Sequence, residues 1–517
     1  MEMAAGSLLE VAERRRRTTV GKLDRKQQAE MGQFFTPSSV AALMADMFGR
    51  SSKNVRLLDP GAGIGSLTAA MLQRLLNEKR TPELVEATAI EAEPSLLPLL
   101  SQVHADCAEA AKRQQTRFVG DARRADFITT AVNWIQGAEW GGAPAERFNR
   151  IILNPPYRKI RSDSDERRQL RSVGIETSNL YSAFVALCVK LLEPAGEMVA
   201  ITPRSFCNGP YFKSFRRMLM NDCALMHVHL FEARNEAFKD DSVLQENVVY
   251  HVKKRKQPYK TVKVSVSQSG NGPTISTHSV SSASVVNPVD SDKIIHLVTS
   301  AKEAATAETI GALPCSLATL GVEVSTGRVV DFRAKTSLRA DPGKDTVPLI
   351  YPMHVNTGRL IWPQPGGRKA NAIVERPETS DLLVPSGNYV LVRRFSSKEE
   401  RRRIYASLVE VGELPADKVG IENHLNYFHA GGRGLEPALA RGLAVFLNTT
   451  VIDSFFRQFS GHTQVNATDL RILRFPAAEQ LEKLGRAVGG SIADQRAVDE
   501  AANDLIFHSS SIGKASA

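Results

Sequence analysis

The stretch that decides the fold is Leu57-Leu58-Asp59-Pro60-Gly61-Ala62-Gly63-Ile64-Gly65-Ser66-Leu67. A short apolar run leads into a glycine-rich turn, and a helix-prone segment follows, which is typical of a buried strand that is followed by a helix. Glycines at such a turn let the backbone approach a ligand closely at the carboxyl end of the strand. The stretch therefore predicts an α/β fold with a ligand site at this turn.

The same alternation of apolar runs and helical stretches extends on both sides of the turn, from about residue 31 to 256. The predicted buried strands are Val55–Leu58, Ala87–Ile90, Arg117–Val119, Ile151–Leu153 and Glu197–Ile201. The predicted helices are Ser38–Phe48, Gly65–Leu76 and Leu180–Leu192. Strands that alternate with helices favour a Rossmann-like domain with a mainly parallel sheet.

Composition limits the class of protein. The chain has 517 residues, 42% of them hydrophobic and 24% charged, which excludes a wholly disordered protein and suggests two or three domains. The net charge of +10 favours a polyanionic partner, although a merely basic enzyme would show the same sum. The five cysteines form no CxxC pair, and no run of about 18 apolar residues occurs, so we expect a reduced, cytoplasmic protein without a zinc site.

The composition also changes along the chain and predicts five segments. We expect a basic helical arm over residues 1–30 and the α/β domain over 31–258. After the basic run Lys253–Lys256, residues 259–309 are rich in Ser, Val and Gly, which predicts a linker or hairpin. Residues 310–490 mix short strands, turns and helices, which predicts a mixed α+β domain, and 491–517 form a tail whose last residues, His508–Ala517, are expected to be loose.

Acidic residues follow the next two strands. Glu91 ends the second strand, where a carboxylate can bind both hydroxyls of a ribose. Asp121 ends the third, where a carboxylate can accept from an adenine amino group. The turn lacks the GxGxxG spacing of nicotinamide sites and the GKS or GKT of phosphate loops. The pattern therefore indicates a nucleoside-containing ligand.

A second motif, Asn154-Pro155-Pro156-Tyr157, directly follows the apolar strand Ile151–Leu153. Its two prolines fix the backbone and remove two donors. The Asn154 side-chain oxygen and the Pro155 carbonyl then make a pair of acceptors for one planar amino group, and they free its lone pair from the ring. Tyr157 supplies an aromatic face for a planar substrate. A tight turn around a buried asparagine is the structural alternative.

These motifs together resemble a known family. Asp59-Pro60-x-x-Gly63, Glu91, Asp121 and the NPPY tetrapeptide resemble the S-adenosylmethionine-dependent amino-methyltransferases. Phe35-Thr36-Pro37 precedes the glycine turn and NPPY follows it, an order similar to the gamma class of DNA adenine-N6 methyltransferases from restriction-modification systems. The resemblance covers about 31–256. It implies metal-free methyl transfer from S-adenosylmethionine to N6 of an adenine flipped out of double-stranded DNA, and it allows for a separately encoded restriction endonuclease.

The resemblance also implies a role for each matched residue. Residues expected at the cofactor are Phe35, Thr36, Pro37, Asp59, Pro60, Gly61, Ala62, Gly63, Glu91, Ala92, Asp121, Ala122 and Asn154. Residues expected at the flipped base are Asn154, Pro155, Pro156, Tyr157 and Phe238, the two aromatic rings stacking on its faces. Ala122 stands where relatives often have an aromatic residue, so Asp126-Phe127 offers a second register for the adenine contact.

The second half resembles, more loosely, a target-recognition domain. Residues expected to contact DNA are Arg393, Arg394, Arg401, Arg402, His424, Asn426, His462 and Gln464. The basic residues would hold phosphates, which gives affinity and not sequence. A solvated charged helix for the arginines and a buried turn for His424 to His429 remain open. The apolar run Leu470–Leu473 predicts a strand.

Three other functions fit parts of the pattern. An RNA or protein-glutamine amino-methyltransferase would share the NPPY motif, and a solitary regulatory DNA methylase would share every motif. A catalytically inactive DNA-binding subunit would not be expected to keep NPPY intact. No carboxylate-lysine cluster typical of a nuclease is evident in the sequence, so we expect an enzyme that modifies DNA and does not cut it.

Overall fold

The protein is described by a computed structural model over residues 7–20, 35–139, 146–231, 247–267, 274–288, 290–356, 358–396, 400–459, 464–489, 492 and 494–507. The chain divides into two compact units, Met1–Ala301 and Lys302–Ala517.

The first unit contains one nine-stranded sheet and its covering helices. Its strands are β1 (Asn54–Pro60), β2 (Leu84–Glu91), β3 (Arg117–Arg124), β4 (Phe148–Leu153), β5 (Leu192–Pro203), β6 (Cys223–Phe231), β7 (Asn247–Lys254), β8 (Thr261–Ser267) and β9 (Thr274–Ser281). Its helices are α1 (Leu8–Val20), α2 (Ser38–Asp46), α3 (Ser66–Leu76), α4 (Leu97–Arg113), α5 (Phe127–Glu139), α6 (Asp165–Ser172), α7 (Leu180–Leu191), α8 (Lys213–Asp222) and α9 (Ser282–Val285).

The strand order is β3-β2-β1-β4-β5-β7-β6-β8-β9. Strands β1 to β5 pair in parallel, β7 runs antiparallel to β5 and β6, and β6 is parallel to β8. The order reverses between β1 and β4, because β2 and β3 lie on one side of β1 and β4 and β5 lie on the other. Ligands of such sheets bind outside the carboxyl ends of the strands at this switch point. The expected Rossmann-like, mainly parallel fold is confirmed.

Apolar patterning explains why these segments form a covered sheet. In β1 every residue from Leu57 to Pro60 is buried, and in α7 every residue except Lys190 is buried. Helix α3 packs Met71, Leu72 and Leu75 into a core that also contains Ile152 of β4. Strands that are buried on both faces read as continuous apolar runs and not as an alternation, which is why β1, β2, β4 and β5 were recognisable from the sequence. Strand β3 has no buried residue along its length.

Two expected boundaries of the first unit are wrong. Of the two alternatives for 259–309, a linker or a hairpin, the hairpin is confirmed, because β9 pairs antiparallel with β8. Strand β8 also pairs in parallel with β6, so both strands complete the nine-stranded sheet. The unit therefore extends to Ala301 and not to 258. The N-terminal segment is not a detached arm over its described part, since Ala12 of α1 belongs to the same core and Arg16 is buried and ion-paired with Glu13.

The second unit is a mixed α+β structure, as expected. Its strands are β10 (Glu323–Thr326), β11 (Leu338–Arg339), β12 (Thr346–Ile350), β13 (Val355–Asn356), β14 (Gly358–Leu360), β15 (Ala372–Val374), β16 (Leu383–Pro385), β17 (Tyr389–Arg393), β18 (Ala406–Val409), β19 (Lys418–Ile421) and β20 (Leu425–His429). Its helices are α10 (Ala301–Gly311), α11 (Pro437–Leu447), α12 (Thr450–Phe459), α13 (Ala467–Arg471), α14 (Ala478–Val488) and α15 (Gln495–Ala502). The strands form a six-stranded sheet, β10-β20-β17-β18-β14-β13, and a five-stranded sheet, β11-β15-β12-β19-β16.

Two further expectations fail in this unit. The predicted strand Leu470–Leu473 overlaps helix α13, because the Asp469 side chain accepts from the backbone N–H of Asn466 at 2.8 Å and helps to start a helix there. The expected tail 491–517 is part of the fold over its described residues, since Val498, Ala502 and Ile506 are buried in the core of this unit. His508–Ala517, which are expected to be loose, lie outside the described residues.

No single helix within the described ranges is long and apolar enough to cross a membrane. The pair α11 and α12 reaches that length and composition only when the two helices, bent by 59°, are counted together. Leu443 and Phe446 of α11 and Ile452 and Phe456 of α12 are buried in the core of the second unit.

Candidate active site

A cavity of about 440 Å³ opens at the carboxyl edge of the parallel strands, at the switch point between β1 and β4. It is lined by Phe35, Gly61, Gly63, Ile90, Glu91, Ala92, Leu96, Ala125, Asp126, Phe127, Ile128, Asn154, Pro156, Arg158, Glu166, Leu180 and Phe184. This volume lies in the range of small-molecule sites, about 300–1,000 Å³. Both sequence motifs, the glycine turn and NPPY, therefore contribute to one cavity.

The glycine turn has the conformation that its sequence requires. Gly61, Gly63 and Gly65 have φ angles of +73°, +57° and +87°. These values lie in the left-handed region, which residues with a Cβ rarely adopt. A Cβ on Gly63 would lie 3.3 Å from the Phe35 ring, and one on Gly65 would lie 2.9 Å from Leu100. The turn thus brings bare backbone to the cavity wall.

Asp59 lies behind this turn, fully buried, and does not line the cavity. Its Oδ2 accepts from the Thr68 hydroxyl at 2.8 Å and from the Thr68 backbone N–H at 3.2 Å, which ties β1 to the first turn of α3. Its Oδ1 has no hydrogen-bond partner among the described residues. Burial raises the pKa of Asp59 to about 7, against the two Thr68 hydrogen bonds.

Glu91 is the carboxylate that faces the cavity from the end of β2, and it is only 3% exposed. Its Oε2 accepts from the backbone N–H of Gly63 at 2.7 Å, and its Oε1 accepts from that of Glu93 at 2.8 Å. Burial raises the pKa of Glu91, and the backbone hydrogen bonds oppose that shift. The side chain is held in place against the glycine turn, with its position set by two different strands.

Asp121, the expected contact to the cofactor adenine, does not line the cavity. Strand β3 continues past Asp121 to Arg124, so Asp121 pairs with Thr88 in mid-strand and Arg124 is opposite Glu91. The Asp121 carboxylate accepts from Arg123 Nε at 2.6 Å, and neither Asp121 nor Ala122 lines the cavity. The residues that do line it after β3 are Asp126 and Phe127, the second register. The reason is strand length, which the short apolar run Arg117–Val119 underestimated.

Asn154 is held from two directions at the cavity wall. Its Nδ2 donates to the Thr36 hydroxyl at 3.1 Å, and its Oδ1 accepts from the Tyr157 hydroxyl at 2.9 Å. Because an amide oxygen has two lone pairs, Oδ1 keeps the capacity to accept from a second donor. The Phe35-Thr36-Pro37 segment therefore orients the NPPY asparagine, a role that its sequence did not reveal.

Aromatic side chains lie on both sides of Asn154. The Tyr157 ring lies edge-on to Tyr181, with centroids 6.3 Å apart, and burial raises the pKa of Tyr157. On the cavity side, the rings of Phe127 and Phe184 are 4.8 Å apart. Phe184 was not predicted from the sequence, where its one signal was its place on a mostly apolar helix. Phe238 lies outside the described residues.

The residues expected to contact DNA have different environments in the second unit. Arg402 is buried and donates to the carbonyls of Ile404, Asn448 and Thr449, so it is not free to hold a phosphate. Asn426 is also buried and donates to the Val465 carbonyl at 2.7 Å. Arg393 donates to the Val355 carbonyl. Arg401 is exposed, and His462 lies outside the described residues.

Three of the expected residues share one surface. Arg394 Nη2 lies 3.4 Å from Gln464 Oε1, and the backbone N–H of Arg394 donates to the His424 carbonyl at 2.9 Å. The His424 ring contacts Phe395, with centroids 4.9 Å apart, and its Nδ1 is paired with the buried Glu422 at 2.5 Å. Phe395 is 43% exposed although it is a large apolar residue. We call the surface of Arg394, Phe395, His424 and Gln464 the Arg394 surface.

Known proteins match both the catalytic motifs and the whole chain. Residues 91–238 match the family described as Eco57I restriction-modification methylase. The chain is 43% identical to type II methyltransferase M.PstI of Providencia stuartii over 485 residues, 94% of each chain. It is 42% identical to type II methyltransferase M.BsuBI of Bacillus subtilis over 487 residues, 93% of this chain and 95% of that one.

One solved structure supports the fold over nearly the full length. The type IIL restriction-modification enzyme MmeI in complex with DNA aligns with a TM-score of 0.51 and 10% identity, and the match covers 96% of this chain and 73% of that one.

Proposed function

Because the chain belongs to the type II methyltransferases, the DNA-modifying enzymes of restriction-modification systems, we propose that it transfers a methyl group from S-adenosylmethionine to N6 of an adenine flipped out of double-stranded DNA. One observation carries the proposal. Asn154 is fixed by Thr36 and Tyr157 at the wall of a cavity that Gly61 and Gly63 of the glycine turn and Glu91 also line.

The cavity suits a positively charged nucleoside cofactor. Three carboxylates, Glu91, Asp126 and Glu166, line it together with one cation, Arg158, and bare backbone at Gly61 and Gly63. Carboxylates accept from ribose hydroxyls and from an adenine amino group, and they favour a cation over the pyrophosphate of a dinucleotide. When bound, S-adenosylmethionine supplies a methyl group that is activated by its sulfonium charge. Glu91 would hold the ribose, and Asp126 the adenine.

Asn154 and the Pro155 carbonyl would act on the target amine. Both are acceptors, and together they would hold the two N6 hydrogens and shift the nitrogen lone pair out of conjugation with the ring. Thr36 and Tyr157 hold the Asn154 amide before the base arrives, so little reorganisation is needed in the transition state. The proton leaves to water after transfer, so no nucleophilic side chain is required.

DNA contacts are proposed for the second unit on the Arg394 surface and at Arg401. The Arg394 surface combines a guanidinium, an imidazole, an amide and an exposed ring, which are groups that contact phosphates, base edges and sugar. Arg393, Arg402 and Asn426 are left out, since their side chains hold the fold of the unit.

Relatives with a restriction-modification name favour a protective methylase over an enzyme that acts on RNA or protein glutamine. A separately encoded endonuclease is then the expected partner of the enzyme in the cell. A solitary regulatory methylase remains the second candidate, because it would share every residue of the site.

The test of this function is the chemical identity of the product. Unmethylated genomic DNA is incubated with the protein and S-adenosylmethionine labelled at the methyl group, digested to deoxynucleosides and separated, and label is expected in N6-methyl-2′-deoxyadenosine. Asn154→Ala should slow transfer by about 100-fold or more, as for other preorganised polar contacts. Asn133→Ala, an exposed asparagine on α5, is the matched control and should be unaffected. Label in another base, or normal transfer by Asn154→Ala, would overturn the proposal.

A further inference from the structure

The most exposed large apolar side chain in the described part of the chain is Tyr211, at 85%. It lies in the short turn Pro210–Phe212, just after β5. Nothing in the proposed methyl transfer uses it. Exposing an aromatic ring of this size to water is unfavourable, so Tyr211 is a candidate contact for a partner that covers it during function.

Tyr211 lies at the same edge of the sheet as the NPPY motif. Strands β4 and β5 are parallel, and their carboxyl ends lead to Asn154 and to Arg204 respectively. A row of rings connects the two places. The Tyr157 and Tyr181 centroids are 6.3 Å apart, and Tyr181 stacks on Phe212 at 5.4 Å. The row begins beside Asn154, whose Oδ1 accepts from the Tyr157 hydroxyl, and ends at Phe212. Tyr211 is the sequence neighbour of Phe212.

The turn that presents Tyr211 is built to be rigid. Arg216 is 1% exposed, and its guanidinium donates to the carbonyls of Phe206, Gly209 and Asp292 at 2.9, 2.7 and 2.9 Å. A Cβ on Gly209 would lie 2.6 Å from the Ser205 carbonyl oxygen, so only glycine allows this close turn. Phe212 is buried beside the exposed tyrosine. Tyr211 is therefore held outward by fixed backbone.

The same edge carries positive charge. Arg158, Lys159 and Arg161 follow NPPY directly and are exposed. Arg158 pairs with Glu166 at 3.5 Å, whereas Lys159 and Arg161 make no ion pair with any residue that the structure describes. Exposed cations next to an exposed ring on rigid backbone match the chemistry of a nucleic acid, whose phosphates need cations and whose bases need a stacking face.

We propose that Tyr211 stacks on a DNA base at the target site and fills the space that the flipped adenine leaves in the duplex. The proposal rests on the proposed function, since it presumes that a base is extruded into the cavity beside Asn154. Extrusion breaks base stacking on both sides of the target, and an inserted ring restores part of that stacking. Tyr211 is then a positioning residue, because it touches the DNA and not the reacting amine.

The test compares paired and unpaired targets. Full-length wild type, Tyr211→Ala and Tyr211→Phe are assayed on a duplex with a normal target pair and on one with an abasic site opposite the target adenine. On the paired duplex, Tyr211→Ala should lower kcat/KM by about tenfold or more, because base stacking on an aromatic ring is lost. On the abasic duplex the base is already free to leave, so Tyr211→Ala should come within about threefold of wild type, an estimate from the lower cost of flipping an unpaired base.

Controls separate this role from others. Tyr211→Phe keeps the ring and should behave as wild type on both duplexes, whereas equal losses for Phe and Ala would assign the effect to the hydroxyl and overturn the proposal. Unchanged cofactor affinity by calorimetry and an unchanged melting temperature are expected, since the side chain is exposed. The same loss on paired and abasic duplexes, or no loss on either, would also overturn it. If the wild type labelled a base other than adenine, the proposed function would fail, and the paired-to-abasic ratio would still decide the role of Tyr211.

Discussion

Thr36 and Asn154 are 118 residues apart in the chain, and the Asn154 Nδ2 donates to the Thr36 hydroxyl at 3.1 Å. The bond connects the segment before the glycine turn to the motif that is expected to hold the target amine. A donated Nδ2 fixes which way the amide points, and so fixes Oδ1 as the acceptor that is presented to a substrate.

Thr36→Val, which removes the hydroxyl and keeps the shape, should therefore lower kcat by about tenfold, because one preorganising hydrogen bond is lost. Thr36→Ser should retain most activity, and cofactor affinity should change little in both variants. Steady-state kinetics and calorimetry separate the two effects. A variant that binds S-adenosylmethionine poorly but turns over normally would show that Thr36 serves the cofactor instead, as the family resemblance implies.

Glu91 is expected to hold the cofactor through its ribose. Glu91→Ala removes a buried carboxylate that faces the cavity, and the dissociation constant for S-adenosylmethionine should rise by about tenfold or more. DNA affinity should persist. Glu93→Ala is the matched control, since that side chain bonds Ser95 and lies outside the cavity lining. Equal cofactor affinity for Glu91→Ala and wild type in calorimetry would return Glu91 to a purely structural role.

Asp126 and Asp121 are alternative contacts to the cofactor adenine, and the cavity favours Asp126. Its Oδ1 accepts from the Thr129 backbone N–H at 2.8 Å at the start of α5. Asp126→Asn keeps this helix cap, because asparagine caps as well as aspartate, but loses the charged acceptor. We expect Asp126→Asn to bind the cofactor about fivefold or more weakly. We expect the cofactor affinity of Asp121→Asn to equal that of the wild type. The reverse result would restore Asp121 to the site.

Arg401 and Arg402 are neighbours with opposite expected roles. Arg402→Ala removes the buried guanidinium that donates to the carbonyls of Ile404, Asn448 and Thr449, and should destabilise the second unit by about 2–4 kcal/mol, seen as a lower melting temperature. Arg401→Ala should leave that temperature unchanged and weaken DNA binding at low salt, with the slope of log affinity against log salt reduced by about one. An unaltered salt slope for Arg401→Ala would remove it from the DNA contacts.

Two buried histidines make the first unit sensitive to acid. Ser265 Oγ lies 2.8 Å from His227 Nε2 and 2.8 Å from His229 Nδ1, and burial lowers the pKa of His227 to about 3 and that of His229 to about 4. Unfolded histidines take up protons below pH about 6.5, whereas these two do not until far lower. Each should therefore remove about 1.4 kcal/mol of stability per pH unit as the pH falls below about 6.5.

Asp59 acts in the opposite direction, because its raised pKa makes folding less favourable as the pH rises toward 7. The contribution of the two histidines to acid sensitivity is therefore measured as the difference between the wild type and a variant that lacks both. Urea unfolding midpoints at pH 7.5, 6.0 and 5.0 should fall more steeply for wild type than for His227→Asn/His229→Asn. Parallel curves would show that these imidazoles do not contribute to the acid sensitivity.

The sequence alone determined the elements that local pattern controls. Four of the five parallel strands were predictable because strands buried on both faces are continuous apolar runs, and the glycine turn because left-handed backbone needs glycine. The fifth strand, β3, has no buried residue, and its length was underestimated. NPPY identified Asn154 without tertiary information, since two prolines after a strand leave little conformational choice. Segments of mixed composition were predicted less completely. The prediction for 259–309 was a linker or a hairpin, and its hairpin belongs to the main sheet. The polar stretch 259–309 contains two sheet strands, and the apolar run Leu470–Leu473 overlaps a helix whose start is capped by Asp469.

Only the tertiary structure decided which of these residues meet. Neither the Thr36 contact to Asn154 nor the Gly63 contact to Glu91 follows from spacing in sequence, because each depends on where separate strands end in one sheet. Asp126 lines the cavity and Asp121 does not, and the reason is again where a strand ends, since β3 runs to Arg124. Arg401 and Arg402 are the same residue type, and only the structure shows that Arg401 is exposed and Arg402 is buried. Adjacent side chains point to different surroundings, and composition does not record which one faces water.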